Sequence, residues 1–485
     1  MKKGLKIFIK IKHSRYLLLF FVLLIGFCVR LYKIENPVAD WHSFRQADTA
    51  SVSRIYAKNG IDFLYPRYHD VSTTQSGISN MQGYRFVEFP LYNAIHATFY
   101  TNFRFFSLEV WGRLLSIICS IMSALMIYLI SGRYLNKMGS LFACLIFLFL
   151  PFNIYYSRVI LPEPLAVLLA LAGIWSFIKY AEDGSFIKLF SSSILFSLAL
   201  LVKPYTVFFL IPIVFIAVKK EGIKNLFLIK KYYLYAFMVI MPFVLWRFWI
   251  DRYPEGIPFW KWTFNGDGIR FKPAFWKWIF GERLTKLILG YWGLIPFALG
   301  ILSLKKKDVV VYSLLIGMFF YVCIIATANV RHDYYQSLII PSVSIVCAYG
   351  FLFIWKGEVF GKLKMRILLL FCVFMMLVAS YSEIKEFYRI NRPEIILAGQ
   401  AVNNLVPEDV LVIAPYYGDT AFLYQTKRRG WPVVDRPVNE LIDKGASYFV
   451  SVDLNHYQTK EFEEKYKTLI KNDNFIILNL NEPMI

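Results

Sequence analysis

The stretch 114-LLSIICSIMSALMIYLI-130 carries no charge and approaches the roughly 20 apolar residues that cross a hydrocarbon core about 30 Å thick. Two other runs read alike, 17-LLLFFVLLIGFCVRLYKI-34 and 367-ILLLFCVFMMLVAS-380. A buried helix of a soluble protein would show a polar stripe instead. The whole chain agrees with the stretch: of 485 residues, 57% are hydrophobic and 18% aromatic, and mean hydropathy is +0.49. An ordinary soluble domain is less apolar than this. The pattern predicts eleven spans, near 17–34, 111–130, 140–157, 162–179, 186–202, 204–218, 232–250, 286–304, 309–328, 334–355 and 366–382. The fifth and sixth are separated by Lys203-Pro204, which reads as a tight turn between two helices or a kink in one.

A formal net charge of +21 does not point to nucleic acid, because the basic residues do not gather on one soluble face. They sit in short segments between spans: Lys2 to Arg15, Lys219 to Lys231, Lys305 to Lys307, and Lys356 to Arg366. Threading eleven spans alternately puts all of these on one side, so the positive-inside rule predicts a cytoplasmic N-terminus and an external C-terminus. The protein is expected in the cytoplasmic (inner) membrane, crossing it many times. The basic start resembles a signal peptide, yet no small-x-small cleavage site follows and the run continues to Ile34, so it reads as the first span. The six cysteines fall inside spans with no CxxC or Cys/His ligand spacing, which argues against disulfides and zinc clusters.

The threading leaves three external regions long enough to fold: 35–110, 251–285 and the tail from 385 to 485. Sizeable loops on one side of a rigid scaffold are where binding and catalytic residues concentrate. In the first loop, Ser43-Phe44-Arg45-Gln46 has the capping-box pattern, predicting a helix from there to Asn59-Gly60. Ala47, Ala50, Ile55 and Tyr56 give it a mostly apolar side, as for a helix lying along the membrane surface. The tail alternates short units: strands at 410–414, 448–452 and 475–480, and helices at 419–428 and 460–471. The fold expected is therefore a polytopic α-helical membrane protein, residues 1–384, followed by a small external α/β domain, residues 385–485. The tail lacks a Gly-rich phosphate loop, and the chain shows no internal repeat of the kind transporters carry.

Ionisable residues at the external ends of spans are the most informative feature for function. Arg30, Arg113, Arg158, Glu163, Lys203, Arg247 and the trio Arg331-His332-Asp333 fall at one level. Positive charge there runs against the topological bias, and charge near the membrane core is costly. Such a set of Arg and Lys suits a phosphate; the competing reading is side chains that snorkel to headgroups or pair with each other. A second constellation is acidic: Asp40 and Asp48 around the first-loop helix, and Glu88 in 86-FVEFPLYN-93. A carboxylate at a phosphate-binding cavity can act as general base on an acceptor hydroxyl, against the alternative of a solvated or helix-capping acid.

The stretches 40-DWHSFRQADTASVSRIYAKNG-60, 84-YRFVEFPLYNAI-95, 153-NIYYSRVILPEPLA-166, 200-LLVKPYT-206 and 331-RHDYYQSLIIP-341 carry a family resemblance. The chain resembles the GT-C glycosyltransferases, in particular the bacterial branch close to protein O-mannosyltransferases and lipid A aminoarabinose transferases. The resemblance covers most of the first 350 residues in family order. It implies eleven or more spans, a long first external loop and a polyprenyl-phosphate sugar as donor. It places Asp40 where the family keeps its catalytic acid, Glu88 as the acid before Pro-Leu, Glu163 as the acid after the third span, and Lys203 in the Lys-Pro turn. It also places Arg331 and Tyr334 in a late motif facing the lipid phosphate. This chain departs from those relatives in one respect. They show adjacent Asp-Glu shortly before the Arg of the first-loop helix, whereas His42, Ser43 and Phe44 precede Arg45 here. The base therefore stays open among Asp40, His42 and Asp48.

Together these readings imply an inverting transfer from a polyprenyl-phosphate-linked sugar to an acceptor on the external face. Asp40, Glu88 and Asp48 are the candidate catalytic acids; Lys203, Arg331, Arg45 and Tyr334 the candidate phosphate ligands; His42, Arg158, Glu163 and His332 further candidates. A divalent cation on Asp40 and Glu88 is an open option, and no other cofactor is implied. The partners implied are the lipid bilayer, the lipid-linked donor and an envelope glycolipid, polysaccharide or protein acceptor. The rivals are a flippase or transporter of a lipid-linked sugar and an inactive binding partner.

Overall fold

The structure is a computed structural model; it describes the backbone of residues 2–484 and side chains from Tyr16 onward. The chain divides into two compact units, each assembled from separated segments.

The first unit, Met1–Ile34, Leu114–Val244 and Trp260–Glu386, is built from apolar helices. Helix is present at each of the eleven predicted spans. Among the described residues, Leu108–Ser131, Glu163–Asp183, Lys230–Ile250 and Lys362–Tyr388 are long and apolar enough to cross a membrane; five others are apolar but shorter. Several predicted spans are broken rather than continuous; proline breaks one of them and separates two others. The residue before a proline is pushed out of the α region by the ring. Leu150, before Pro151, takes φ −59°, ψ 120°, and divides 140–157 into Lys137–Phe149 and Pro151–Tyr156. Lys203, before Pro204, takes φ −152°, ψ 105°. That settles the turn against the kink: Phe186–Val202 ends there, and a 3-10 segment, Pro204–Leu210, starts a separate helix, Ile211–Glu221. The predicted span at 286–304 is instead a π-helical segment, Lys277–Ile288, a turn, and the short helix Leu294–Leu302. That short helix packs very closely on Ile340–Lys356. A Cβ on Gly300 would lie 2.0 Å from the Val346 carbonyl oxygen, and one on Gly350 1.8 Å from that of Pro296. Glycine at both positions is what permits the approach.

The second unit comprises Glu35–Arg113, Leu245–Phe259 and Phe387–Ile485. Its sheet has strands β1 (Leu411–Ile413), β2 (Arg429–Trp431), β3 (Ala446–Ser451), β4 (Tyr466–Lys471) and β5 (Ile476–Pro483), in the order β2-β1-β3-β5-β4. β1 runs parallel to β2 and β3, while β5 is antiparallel to β3 and β4. The sequence reading placed one helix over 460–471. The helix stops at Lys465 and the rest is β4, because Thr468 and Ile470 supply branched residues that register against Leu478 and Ile477. β2 was missed; three residues, Arg-Gly-Trp, carry no period to read. The first loop joins this sheet through the backbone: Val71 N–H donates to the Gly430 carbonyl and Gly430 N–H to that of His69, both at 2.9 Å. Val71 accordingly packs in one core with Ile413, Trp431, Phe449 and Leu478.

The first-loop helix spans Ser43–Asn59 and ends, as predicted, at Gly60 with φ 90°. Two expectations about it are corrected. Ser43 and Gln46 do not close a capping box, because the N-cap position falls on His42 and Ser43 is already the first residue of the helix. Nor does the helix offer one apolar side to a surface: every residue from Arg45 to Ser53 is buried, polar ones included.

Candidate functional site

In the second unit, the start of the first-loop helix organises the acids. His42 sits in the left-handed region, φ 54° and ψ 36°, and the chain turns sharply just before the helix. That turn lets the Asp40 carboxylate accept from Gln46 Nε2 at 2.7 Å. Next along the helix, Arg45 forms a buried ion pair with Glu88. One turn on, Asp48 accepts from Arg85 Nη2 at 2.5 Å and from Thr420 Oγ1 at 2.7 Å. Two helical turns thus hold three acids, one by a neutral amide and two by guanidinium groups. His42 is half-buried, its ring edge-on to Trp41 and Phe44.

Burial shapes the neighbourhood. Asp70, whose Oδ1 accepts from Ser72 N–H at 2.8 Å and whose Oδ2 accepts from Tyr68 Oη at 3.2 Å, is pushed up to about 6 by burial, with the Asp48 charge adding to the effect. Asp419, which caps the helix Thr420–Gln425 by accepting from Ala421 N–H, is likewise raised to about 6 by burial. Thr420 follows that cap directly, so the cap helps to set the hydroxyl that reaches Asp48.

In the first unit, Lys203 and Glu163 form an ion pair at 2.6 Å with side chains only 4% and 1% exposed. The ammonium lies 5.2 Å from the Tyr335 ring centre and 5.8 Å from that of Tyr205. Tyr335 stacks on Tyr334 with centroids 4.6 Å apart, and Tyr334 on His332 at 5.6 Å. Lys203, Glu163, Tyr334 and His332 therefore belong to one cluster. Beside it, Asp333 accepts from Tyr156 Oη and lies 3.6 Å from Arg283. Arg331 differs: its side chain is 55% exposed, 3.6 Å from Asp267 and over the Trp262 ring. Arg158 is buried and donates to the Lys33 carbonyl at 2.8 Å, while Arg30 donates to Ser157 and to the Gly26 carbonyl, so these two interlock the first helix end with the 157–158 turn.

Sequence reading missed Gln46, Arg85, Thr420, Tyr156, Tyr205, Arg283 and Tyr335. Tyr335 had a signal, being adjacent to Tyr334; the others become visible only through their partners. Among the described residues no three of His, Cys, Asp or Glu converge, and Glu88 already faces the Arg45 guanidinium.

Residues 90–249 match the family model described as dolichyl-phosphate-mannose-protein mannosyltransferase. No curated protein matches the sequence. Among solved structures, ArnT from Cupriavidus metallidurans bound to undecaprenyl phosphate aligns with a TM-score of 0.62 at 12% identity, covering 96% of this chain and 97% of that one. The oligosaccharyltransferase AglB from Archaeoglobus fulgidus, in complex with an inhibitory peptide and a dolichol-phosphate, aligns at 0.53 and 10% identity, over 93% of this chain and 72% of that one. The mycobacterial arabinofuranosyltransferase AftD aligns at 0.56 and 11% identity, over 95% and 41%. At these identities the likeness is one of fold, shared with these three transferases.

Proposed function

We propose that this chain is a GT-C glycosyltransferase that moves a sugar from a polyprenyl-phosphate-linked donor to an acceptor on the external face of the cytoplasmic membrane, with inversion at the anomeric carbon. The chain would cross the membrane about eleven times within residues 1–384, N-terminus inside, with 35–110, 251–285 and the α/β domain 385–485 outside. The observation that carries the reading is Lys203, a cation buried among apolar helices and held by one carboxylate and two tyrosine rings. An ionisable group so placed is costly, and its default reading is functional. The same unit has an apolar groove of about 750 Å³, lined by Phe280, Leu284, Phe297, Phe319 and Val343 among others, and Leu284 directly follows Arg283. Such a lining suits a prenyl chain whose phosphate meets the basic residues.

In the reaction, an acceptor hydroxyl attacks the anomeric carbon on the face opposite the phosphate. Asp40, held by Gln46, takes its proton; the bond from carbon to phosphate oxygen breaks, and the electron pair leaves with the polyprenyl phosphate. Lys203 and Arg331 stabilise the charge developing on that phosphate, and Tyr334 lines its seat. The Arg45 and Glu88 pair fixes the helix start that carries Gln46. Asp48, tied to Arg85 and Thr420, serves structure, which favours Asp40 as the base.

The test is transfer from a labelled polyprenyl-phosphate sugar in proteoliposomes, scoring both glycosylated acceptor and free polyprenyl phosphate. Wild-type protein should release the free lipid, and Asp40→Asn and Lys203→Met should not. Translocation of intact donor with no release would support a flippase instead, and equal rates in wild type and Asp40→Asn would remove Asp40 from its role.

A further inference from the structure

The helix Glu163–Asp183 begins at the Lys203 cluster and carries Trp175 twelve residues on, about 18 Å along its axis. Around Trp175 lies a cavity of about 740 Å³, a volume in the range of ligand sites. Its lining is divided. Leu129, Leu135 and Met138 make an apolar side; Arg133, Asn136 and Lys137 make a polar one. Arg133 stands over the Trp175 ring at 5.1 Å, and Lys179 lies at 5.5 Å from the same ring. Glu182 orients both, its Oε2 lying 3.0 Å from Arg133 Nη2 and 2.6 Å from Lys179 Nζ. Three cations against one acid leave two positive charges at the cavity. The helix Lys137–Phe149, with Asn136 capping Gly139 N–H at 2.9 Å, adds its positive end.

We propose that this cavity binds the headgroup of an anionic phospholipid, from the leaflet at the opposite end of the bundle from Lys203. The two positive charges answer the lipid phosphate, and the apolar side answers the first carbons of the acyl chains. A free phosphate in water would use only half of this lining. Trp175 has the amphipathic ring that settles at the headgroup level, and it braces the Arg133 guanidinium there. The site is separate from the donor site by the length of helix between Glu163 and Trp175, and it stands whether or not the proposed transfer is correct.

The experiment is native mass spectrometry of the full chain released from detergent, comparing phosphatidylglycerol with phosphatidylcholine of the same acyl chains. Wild-type protein should retain phosphatidylglycerol preferentially. Arg133→Gln and Lys137→Gln should each reduce that preference about fivefold, as a juxtamembrane cation contributes about that factor. Inorganic phosphate should not displace the lipid. Equal retention of the two lipids, an unchanged preference in both variants, or displacement by phosphate would each overturn the proposal. Should the variants misfold, wild-type protein labelled with a diazirine phosphatidylglycerol decides: adducts on 128–140 and Trp175 support the site, and adducts confined elsewhere exclude it.

Discussion

Asp48 and Glu163 are both buried acids joined to a cation, yet their settings differ. Asp48 takes a guanidinium at 2.5 Å and a threonine hydroxyl at 2.7 Å, in a unit whose other carboxylates also draw on amide, hydroxyl and backbone donors. Glu163 faces one ammonium at 2.6 Å, and the surroundings of that ammonium are tyrosine rings. A network that engages both carboxylate oxygens fixes geometry. A pair buried from water carries a heavy desolvation penalty, and a flexible Lys can turn from its carboxylate to an incoming phosphate. The first arrangement suits a scaffold that must hold a base still, and the second suits a seat that must accept and release charge.

The largest effect should fall on Asp40, where the two settings predict opposite outcomes for rate and stability. Asp40→Asn keeps an oxygen that can accept from Gln46, so unfolding should change little, while transfer falls by about 10²- to 10⁴-fold, the usual worth of a general base. Parallel assays of donor turnover and thermal unfolding check both halves. Next comes the ion pair. Lys203→Met alone leaves Glu163 buried without its cation and should destabilise by about 3–5 kcal/mol. Adding Glu163→Gln should recover most of the loss in denaturant unfolding without restoring transfer, and restored transfer would mean that Lys203 serves only its carboxylate.

A third test sharpens the second unit alone. Asp70 titrates near 6 in the folded protein against 3.8 unfolded, so the native state holds its proton more tightly. Its stabilising contribution is full below about pH 3.8 and is lost as pH rises through 6, a change of about 3 kcal/mol. Asp70→Asn should remove that share of the stability profile and leave the share of Asp419, which is raised to about 6 as well, read by unfolding of this unit between pH 4 and 7. The smallest effect on stability belongs to Arg331. Its pair with Asp267 is exposed on both sides, so Arg331→Ala should cost under about 1 kcal/mol. A drop in transfer out of proportion to that cost would place it on the donor phosphate.

Much of this was legible locally. Apolar runs marked the helices because each is a long unbroken stretch of apolar residues, and Pro204 marked an interruption at Lys203, turn or kink, because its ring disfavours α geometry in the residue before it. Asn59-Gly60 ended the first-loop helix for an equally local reason. The capping box failed, although its pattern was present, because the N-cap falls on His42, in a left-handed turn no pattern announces, which leaves Ser43 inside the helix.

By itself, then, the sequence determined where helices form, which end of each span carries charge, and which residues resemble a lipid-phosphate glycosyltransferase. Tertiary structure alone decided the partner of each acid. Arg45 and Glu88 lie 43 residues apart and Asp48 and Thr420 372 apart, with no periodicity linking them. It also decided that the first loop and the tail form one unit, with Asp70 bridged to Gly430 of a three-residue strand. The reason is one of range: propensity and hydropathy act over a few residues along the chain, whereas a buried charge is satisfied by whatever donor the fold brings within 3 Å.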